Sequence, residues 1–505
     1  MVFNSPSLSY SLLAPMLIVL GGALIGVLIE AFVGKTRRPV IQLGVAAATL
    51  ILALTQVIRI RGLTSTTAAM GSVVIDGPGL LFQGSILVIA IISLFLIADQ
   101  DNFTSSAAAL PGSDEERQAT QSGTVLTEIY PLTLFAVAGM LLFPVASDLI
   151  TLFVALEVLS LPLYLMAGLS RHRRLASQEA ALKYFLLGAF SSAFFLFGAA
   201  YLYGYSGTVS FAGIHAAVVG GTGNDVILLL GIAFVSIGLL FKVGAVPFHA
   251  WSPDVYQGAP TPITGFMAAA TKVAAFGAML RLFYSVLAES QWQWRPFFMA
   301  IAIITMIFGS LVAISQRDVK RMLAYSSIAH AGFLLTGVIA LNKAGLEASI
   351  YYLFAYGVAT VGAFGIVTLV RDSSGEVSDL NRWAGLGKRS PWVASAFAFF
   401  LLAFAGIPLT SGFIGKFAVF SAAYESGATA VVIVGVLSSA IAAFFYIRVI
   451  VLMFFTDATE DGTSVVIPSI LTRFTIFISL AVTVALGVFP APLLDFIKPL
   501  AIFIR

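Results

Sequence analysis

The chain has 505 residues, of which 59% are hydrophobic and only 10% charged, with a formal net charge of +3. Soluble domains carry roughly 25% charged residues, so a chain of mean hydropathy +1.00 has too few polar side chains to coat a water-facing surface, and most of that surface must face lipid. The small positive charge is dispersed, with no basic block interleaved with aromatics, which argues against nucleic acid as a partner. The absence of cysteine excludes disulfides, thiolate-held iron–sulfur clusters and a cysteine nucleophile within this chain.

Residues 1–10 carry no positive segment ahead of the first apolar run, so no cleavable signal peptide is expected. A bilayer-spanning helix needs about 20 mainly apolar residues, because no backbone polar group can face lipid unpaired. Such runs fall at 10–31, 39–60, 79–98, 129–146, 149–169, 178–204, 225–250, 257–286, 296–315, 321–341, 345–371, 391–425, 428–455 and 468–489. They predict an all-α polytopic membrane protein with about fourteen transmembrane helices. Runs 129–146 and 149–169 are separated only by Ser147 and Asp148. The polar insertion 99–128 is rich in Ser, Ala, Thr and acids and reads as a flexible cytoplasmic loop. A Gly-rich loop is expected over 206–225, and a short apolar tail at the interface over 490–505. No appended soluble domain and no simple repeat is visible.

Basic clusters test this division independently. Lys35-Thr36-Arg37-Arg38, Arg171-His172-Arg173-Arg174, Arg317-Asp318-Val319-Lys320-Arg321 and the stretch 371–389 fall in loops 1, 5, 9 and 11, all on one face. Even-numbered loops hold scattered cations such as Arg59, Arg61, Arg295 and Lys343. Positive charge is retained on the cytoplasmic side, so both termini are expected in the periplasm.

A charge at the bilayer centre costs roughly 2.5–3.5 kcal/mol even on the lenient insertion scale, so each one that persists is a candidate site. Glu157 sits near the middle of its run; its plain alternative is a carboxyl hydrogen-bonded for helix packing. Lys183 stands nine residues after Arg174, where snorkelling to the interface competes with function. Lys242 precedes Pro247 in Phe241-Lys242-Val243-Gly244-Ala245-Val246-Pro247, and proline frees carbonyls beside the lysine. Lys272 has about fourteen residues of its run on either side, roughly 20 Å of helix, too far for a lysine stem to reach water. His330 lies mid-run and titrates near neutral pH, although a lone histidine is often a satisfied core residue. Lys416 follows Gly406-Ile407-Pro408-Leu409-Thr410-Ser411-Gly412-Phe413-Ile414-Gly415, where one proline and three glycines interrupt an apolar run. Two interrupted helices in different halves point to an ion path; the alternative is a kink with a snorkelling lysine. Arg448 reads as structural, and Glu30 and Asp148 as caps or interface residues.

Desolvation favours the neutral amine and a neighbouring carboxylate favours the ammonium, so making and breaking a Glu–Lys pair sets whether the lysine keeps its proton. There is no Walker sequence, no Gly-x-Gly-x-x-Gly unit and no histidine pair at haem-ligand positions. The driving energy must come from an ion gradient or a partner complex.

At this point the residues resemble a known family. The stretch 241–264, FKVGAVPFHAWSPDVYQGAPTPIT, with Ala270-Thr271-Lys272 after it, resembles the antiporter-like N subunits of proton-pumping NADH:quinone oxidoreductase (respiratory complex I). So do 321–330, RMLAYSSIAH, and 405–417, AGIPLTSGFIGKF. The likeness covers nearly the whole chain. Sister subunits M and L differ: M has a glutamate where Lys416 stands, and L continues into a long lateral helix. The resemblance implies two inverted five-helix repeats, over 129–286 and 296–455, with broken helices 7 and 12 as counterparts marked by Pro247, Pro408, Gly412 and Gly415. Segments 1–128 and 456–505 flank them. It implies Glu157 and Lys242 as a gating pair tuned by Lys183, Lys272 and His330 as carriers along a hydrated axis, and Lys416 as the terminal proton site. It further implies no cofactor on this chain, with FMN, iron–sulfur clusters and quinone in partner subunits. The partners would be the sister subunit M and the small subunits beside the quinone site, in a bacterial inner membrane. The 99–128 insertion is longer than usual for the family. Three other readings remain open: the homologous subunit of a ferredoxin–plastoquinone complex or membrane-bound hydrogenase, a subunit of a Na+/H+ antiporter, and a purely structural scaffold.

Overall fold

A computed structural model describes residues 8–62, 65–99, 114, 126–170, 174–221, 223–372, 375–458, 463–466 and 468–504. Nearly all of the 99–128 insertion, and Arg171, His172 and Arg173, lie outside the described residues.

Each long apolar run becomes a helix, since only a helix pairs all its backbone groups within itself. Spans 1–6 are Tyr10–Phe32, Arg38–Ile60, Gly77–Ile97, Ile129–Leu142, Leu149–Ala167 and Arg174–Ser206. Span 7 is broken into Asp225–Val243 and Trp251–Gly258. Spans 8–11 are Thr261–Val286, Gln291–Ile314, Val319–Ala340 and Lys343–Val367. Span 12 is broken into Pro391–Ala405 and Ser411–Glu425, and spans 13 and 14 are Thr429–Phe455 and Ile470–Val488. Among the described residues twelve helices are long and apolar enough to cross a membrane; the shorter apolar helices Ile129–Val145 and Pro391–Ala405 supply the other two expected spans.

The ends follow local chemistry. Asp76 accepts from Gly79 N at 2.9 Å, Asp148 from Thr151 N at 2.7 Å, Asp318 from Arg321 N at 3.0 Å and Asn342 from Gly345 N at 2.7 Å. Each satisfies an orphan donor of a first turn. Spans 8 and 10 are buried along their full length and span 11 almost so, whereas spans 2, 13 and 14 turn most of their surface outward. Lys272 of span 8 and His330 of span 10 therefore sit inside the bundle.

Both breaks are built by left-handed backbone. Gly244 (φ 77°) ends the first half of span 7, and the Val246–Pro247 peptide is cis. Gly406 (φ 78°) ends the first half of span 12, and Leu409 (φ 71°) turns the chain before Ser411 restarts it. A Cβ at Gly412 would collide with the Ala403 carbonyl, and one at Gly415 would meet the Tyr352 ring, so the restarted half packs tightly on its neighbours.

The structure departs from the sequence reading in short elements. The segment expected as a Gly-rich loop contains the helix Phe211–Gly220, closed by left-handed Gly221. Ten residues are too few to cross a bilayer, so a search for spans passes over them. Thr66–Ala68 and Val73–Ile75 form an antiparallel hairpin. Val370–Asp372 pairs with both Gly375–Glu376 and Ser464–Val465, joining the loops that follow spans 11 and 13. The tail forms the helix Ala491–Ile497 and then turns back on span 3, where Ile504 N donates to Asp76 at 3.2 Å.

Candidate functional site

Lys242, Lys272 and Lys416, each 4% exposed, and His330, 1% exposed, lie inside the bundle; Lys320 is also buried, at the start of span 10, where it donates to Ala259 O. Glu157 is half-buried, and Lys183 stands at the edge with its side chain 40% exposed.

Lys242 ends the first half of span 7. Its amine donates to Ser160 Oγ at 2.7 Å and to Tyr184 Oη at 3.4 Å, and faces the rings of Tyr164 and Tyr184. The carbonyl freed at the break is taken elsewhere: Phe241 O accepts from the Trp251 indole at 2.9 Å. Glu157 lies one turn before Ser160 on span 5 and accepts from Ser192. The two charges do not meet in an ion pair. Ser160, whose own hydroxyl donates to Leu156 O, occupies the position between them.

Lys183 is tied away from both. It pairs with Glu179 at 2.6 Å and with Asp254 at 2.7 Å, and Asp254 also holds Arg321 at 2.7 Å. The second half of span 7 is thereby clamped between spans 6 and 10. Tyr184, the next residue along, is the one that reaches Lys242, because successive residues of a helix point about 100° apart.

Lys272 follows a π-helical turn in span 8 and donates to both the carbonyl (2.5 Å) and the hydroxyl (2.6 Å) of Ser327 in span 10. Its amine also lies 5.3 Å from the centre of the Tyr356 ring. His330, one turn beyond Ser327, has Nδ1 2.7 Å from Tyr352 Oη and stacks on Tyr356 with ring centres 4.6 Å apart. Tyr446 Oη approaches its Nε2 and bonds to Ser326.

Lys416 sits on the restarted half of span 12 and donates to Phe404 O (2.8 Å), Ala405 O (3.0 Å) and Ser439 Oγ (2.9 Å). Here the break works as expected, with carbonyls released by the interrupted helix binding the lysine. Phe333 touches both Lys416 and His330: its centre is 4.6 Å from Lys416 Nζ and 5.6 Å from the imidazole.

Lys272 and His330 therefore share one cluster, while Lys242 and Lys416 flank it. Tyr184 stacks on Trp251, which meets Tyr256, whose hydroxyl is 3.4 Å from Ser327 Oγ. Among the described residues none of Lys242, Lys272 and Lys416 has a carboxylate in ion-pair contact; hydroxyls, carbonyls and ring faces hold them instead. A donor held only by neutral groups can exist with or without its proton, as a relay requires.

Neutral partners were invisible to a search for charge: Ser160, Tyr184, Ser327, Tyr352, Tyr356 and Tyr446 read as ordinary membrane-helix residues. The Asp76–Arg281 pair was also missed. It is buried on both sides, with contacts of 2.7 and 3.0 Å. An arginine inside run 257–286 was a legible signal. Among the described residues no group of three His, Cys, Asp or Glu could hold a metal ion.

Residues 146–442 match the family described as NADH:quinone oxidoreductase/Mrp antiporter, transmembrane. The chain is 56% identical to NADH-quinone oxidoreductase subunit N of Rhodococcus opacus, over 99% of this chain and 97% of that one. It is 52% identical to the protein of the same name from Mycobacterium tuberculosis, over the full length of both. A chain of respiratory complex I from Thermus thermophilus superposes with a TM-score of 0.78 at 30% identity, covering 95% of this chain and 98% of that one. A chain of the Mrp complex from Dietzia sp. shares the fold, with a TM-score of 0.82 at 21% identity, covering 98% of this chain and 97% of the other.

Proposed function

This chain belongs to the NADH:quinone oxidoreductase/Mrp antiporter family, among its NADH-quinone oxidoreductase N subunits, and from that premise we propose that it moves protons across the membrane while quinone is reduced elsewhere in its complex. The observation that carries this reading is the file of Lys242, Lys272, His330 and Lys416 through the interior of the bundle. Buried ionisable groups in a membrane are expensive and are kept where they serve a path.

Glu157 and Lys242 form the gate, with Ser160 as the group that Lys242 exchanges for the carboxylate. Charge rearrangement at the quinone site propagates through neighbouring subunits and changes that exchange. The altered field on Lys242 then drives the proton held at Lys272 through His330 to Lys416, the terminal site towards the periplasm. Lys183 acts on the gate indirectly, through its clamp with Asp254 on the second half of span 7. Phe333, in contact with both His330 and Lys416, offers no group that can carry a proton, so the last transfer passes through water that enters beside it.

Residues 129–286 and 296–455 make up two inverted repeats, whose counterparts are the broken spans 7 and 12, and 1–128 and 456–505 flank them. The protein sits in a bacterial inner membrane with its basic face in the cytoplasm and both termini in the periplasm. It breaks no bond and binds no cofactor. FMN, iron–sulfur clusters and quinone belong to partner subunits, and sister subunit M and the small subunits near the quinone site are its neighbours.

The test is Lys272→Met in the assembled complex, read by NADH-driven acidification inside proteoliposomes. Loss of proton movement with the subunit still assembled is the expected result. Undiminished proton movement per electron would leave the chain a scaffold.

A further inference from the structure

On the basic face, a cavity of about 860 Å³ opens between spans 11, 12 and 14. We propose that it binds an anionic phospholipid, with the phosphate on Arg389 and Arg473 and an acyl chain in the groove beneath. The volume lies within the roughly 300–1,000 Å³ of ligand sites.

Its mouth is cationic. Arg389 stands two residues before span 12 begins and Arg473 in the first turn of span 14, so both lie at the interfacial depth where lipid phosphates sit. Arg389 is held in place by the Thr463 carbonyl and the Ala384 carbonyl. Arg473 donates only its Nε, to Pro468 O at 3.0 Å, leaving both terminal amino groups without a partner among the described residues. Trp392, 64% exposed, lines the same mouth at the depth such rings favour, its indole N–H without a partner among the described residues. Among the described residues no carboxylate lines the cavity. Asp99, the acid that touches span 14, is occupied by Ser469 and Thr472.

Below the arginines the walls are apolar, formed by Leu369, Val393, Phe474 and Phe477. A free phosphate ion would use only the mouth, whereas a phospholipid uses the mouth and the groove together. Basic pockets between membrane helices bind anionic headgroups for this reason. The proposal is independent of the proton path.

The test uses the full chain, purified with its companion subunits and placed in nanodiscs of phosphatidylcholine containing cardiolipin. Retained lipid is then counted by native mass spectrometry. Wild type should retain cardiolipin preferentially. Arg473→Gln should lower that retention about fivefold, the worth of one surface cation, while Arg473→Lys restores most of it. Val393→Trp, which fills the groove and leaves the arginines alone, should release the lipid by a different route. Equal retention of both lipids by wild type overturns the proposal, as does undiminished cardiolipin in both R473Q and V393W. A photo-crosslinker at position 473 that captures a protein chain instead of lipid would assign the cavity to a neighbouring subunit.

Discussion

Lys242 and Ser160 are joined by a 2.7 Å hydrogen bond that places a neutral hydroxyl where the carboxylate of Glu157, one turn away on the same helix, would otherwise bind. The gate proposed for Glu157 and Lys242 is thus parted here, with no ion pair between the two.

Ser160→Ala removes the acceptor that keeps the pair apart. A buried donor deprived of its partner costs about 1–3 kcal/mol, and the cheapest remedy is for Lys242 to turn to Glu157. Proton translocation by the assembled complex should fall severalfold, while Ser160→Thr retains most of it. Acidification in proteoliposomes measures both, and equal rates in S160A and wild type would remove Ser160 from the gate.

Ser327 gives Lys272 two of its contacts, but only the hydroxyl can be deleted without touching the backbone. Ser327→Ala should therefore weaken transfer less than Lys272→Met, with the carbonyl still holding the amine. Stability should follow the opposite order. Lys272→Met removes an expensive buried amine and should leave the thermal midpoint unchanged or raised, which detergent-phase unfolding can read.

Asp76 and Arg281 are a buried pair that also collects Pro144 O, Ile504 N and the Phe503 ring. Arg281→Met strands the carboxylate, at a cost of about 3–5 kcal/mol, and should lower yield and melting temperature sharply. The double variant Arg281→Met with Asp76→Asn leaves no uncompensated charge and should recover much of the loss. No recovery would mean that packing, not charge, is what the pair contributes.

Gly412→Ala pushes a methyl into the Ala403 carbonyl, so the two halves of span 12 must separate. Overpacking of this kind costs about 1–3 kcal/mol and moves the carbonyls that bind Lys416, so stability and proton translocation should fall together. Gly44→Ala, which meets open space, is the control and should stay within about 0.5 kcal/mol of wild type.

The membrane class, the fourteen spans, the two breaks and the positions of Glu157, Lys242, Lys272, His330 and Lys416 were all legible in the amino-acid sequence. Lipid makes this so: it offers the backbone no partner and charge no solvation, so both leave long, uninterrupted or conspicuously interrupted signals. Tertiary structure alone decided the contacts. The serine standing between Glu157 and Lys242 comes from span 5, the tyrosine facing Lys242 from span 6, and the hydroxyl on Lys272 from span 10. The Phe333 ring that touches both His330 and Lys416 is an ordinary apolar residue until its helix is packed. Position left Lys183 between snorkelling and function, and only the resemblance implied that it tunes the gate; its helix face turns it to Glu179 and Asp254. Which neutral groups meet a buried amine depends on helix rotation and neighbour packing, and those are properties of the assembled bundle that no single run of residues records.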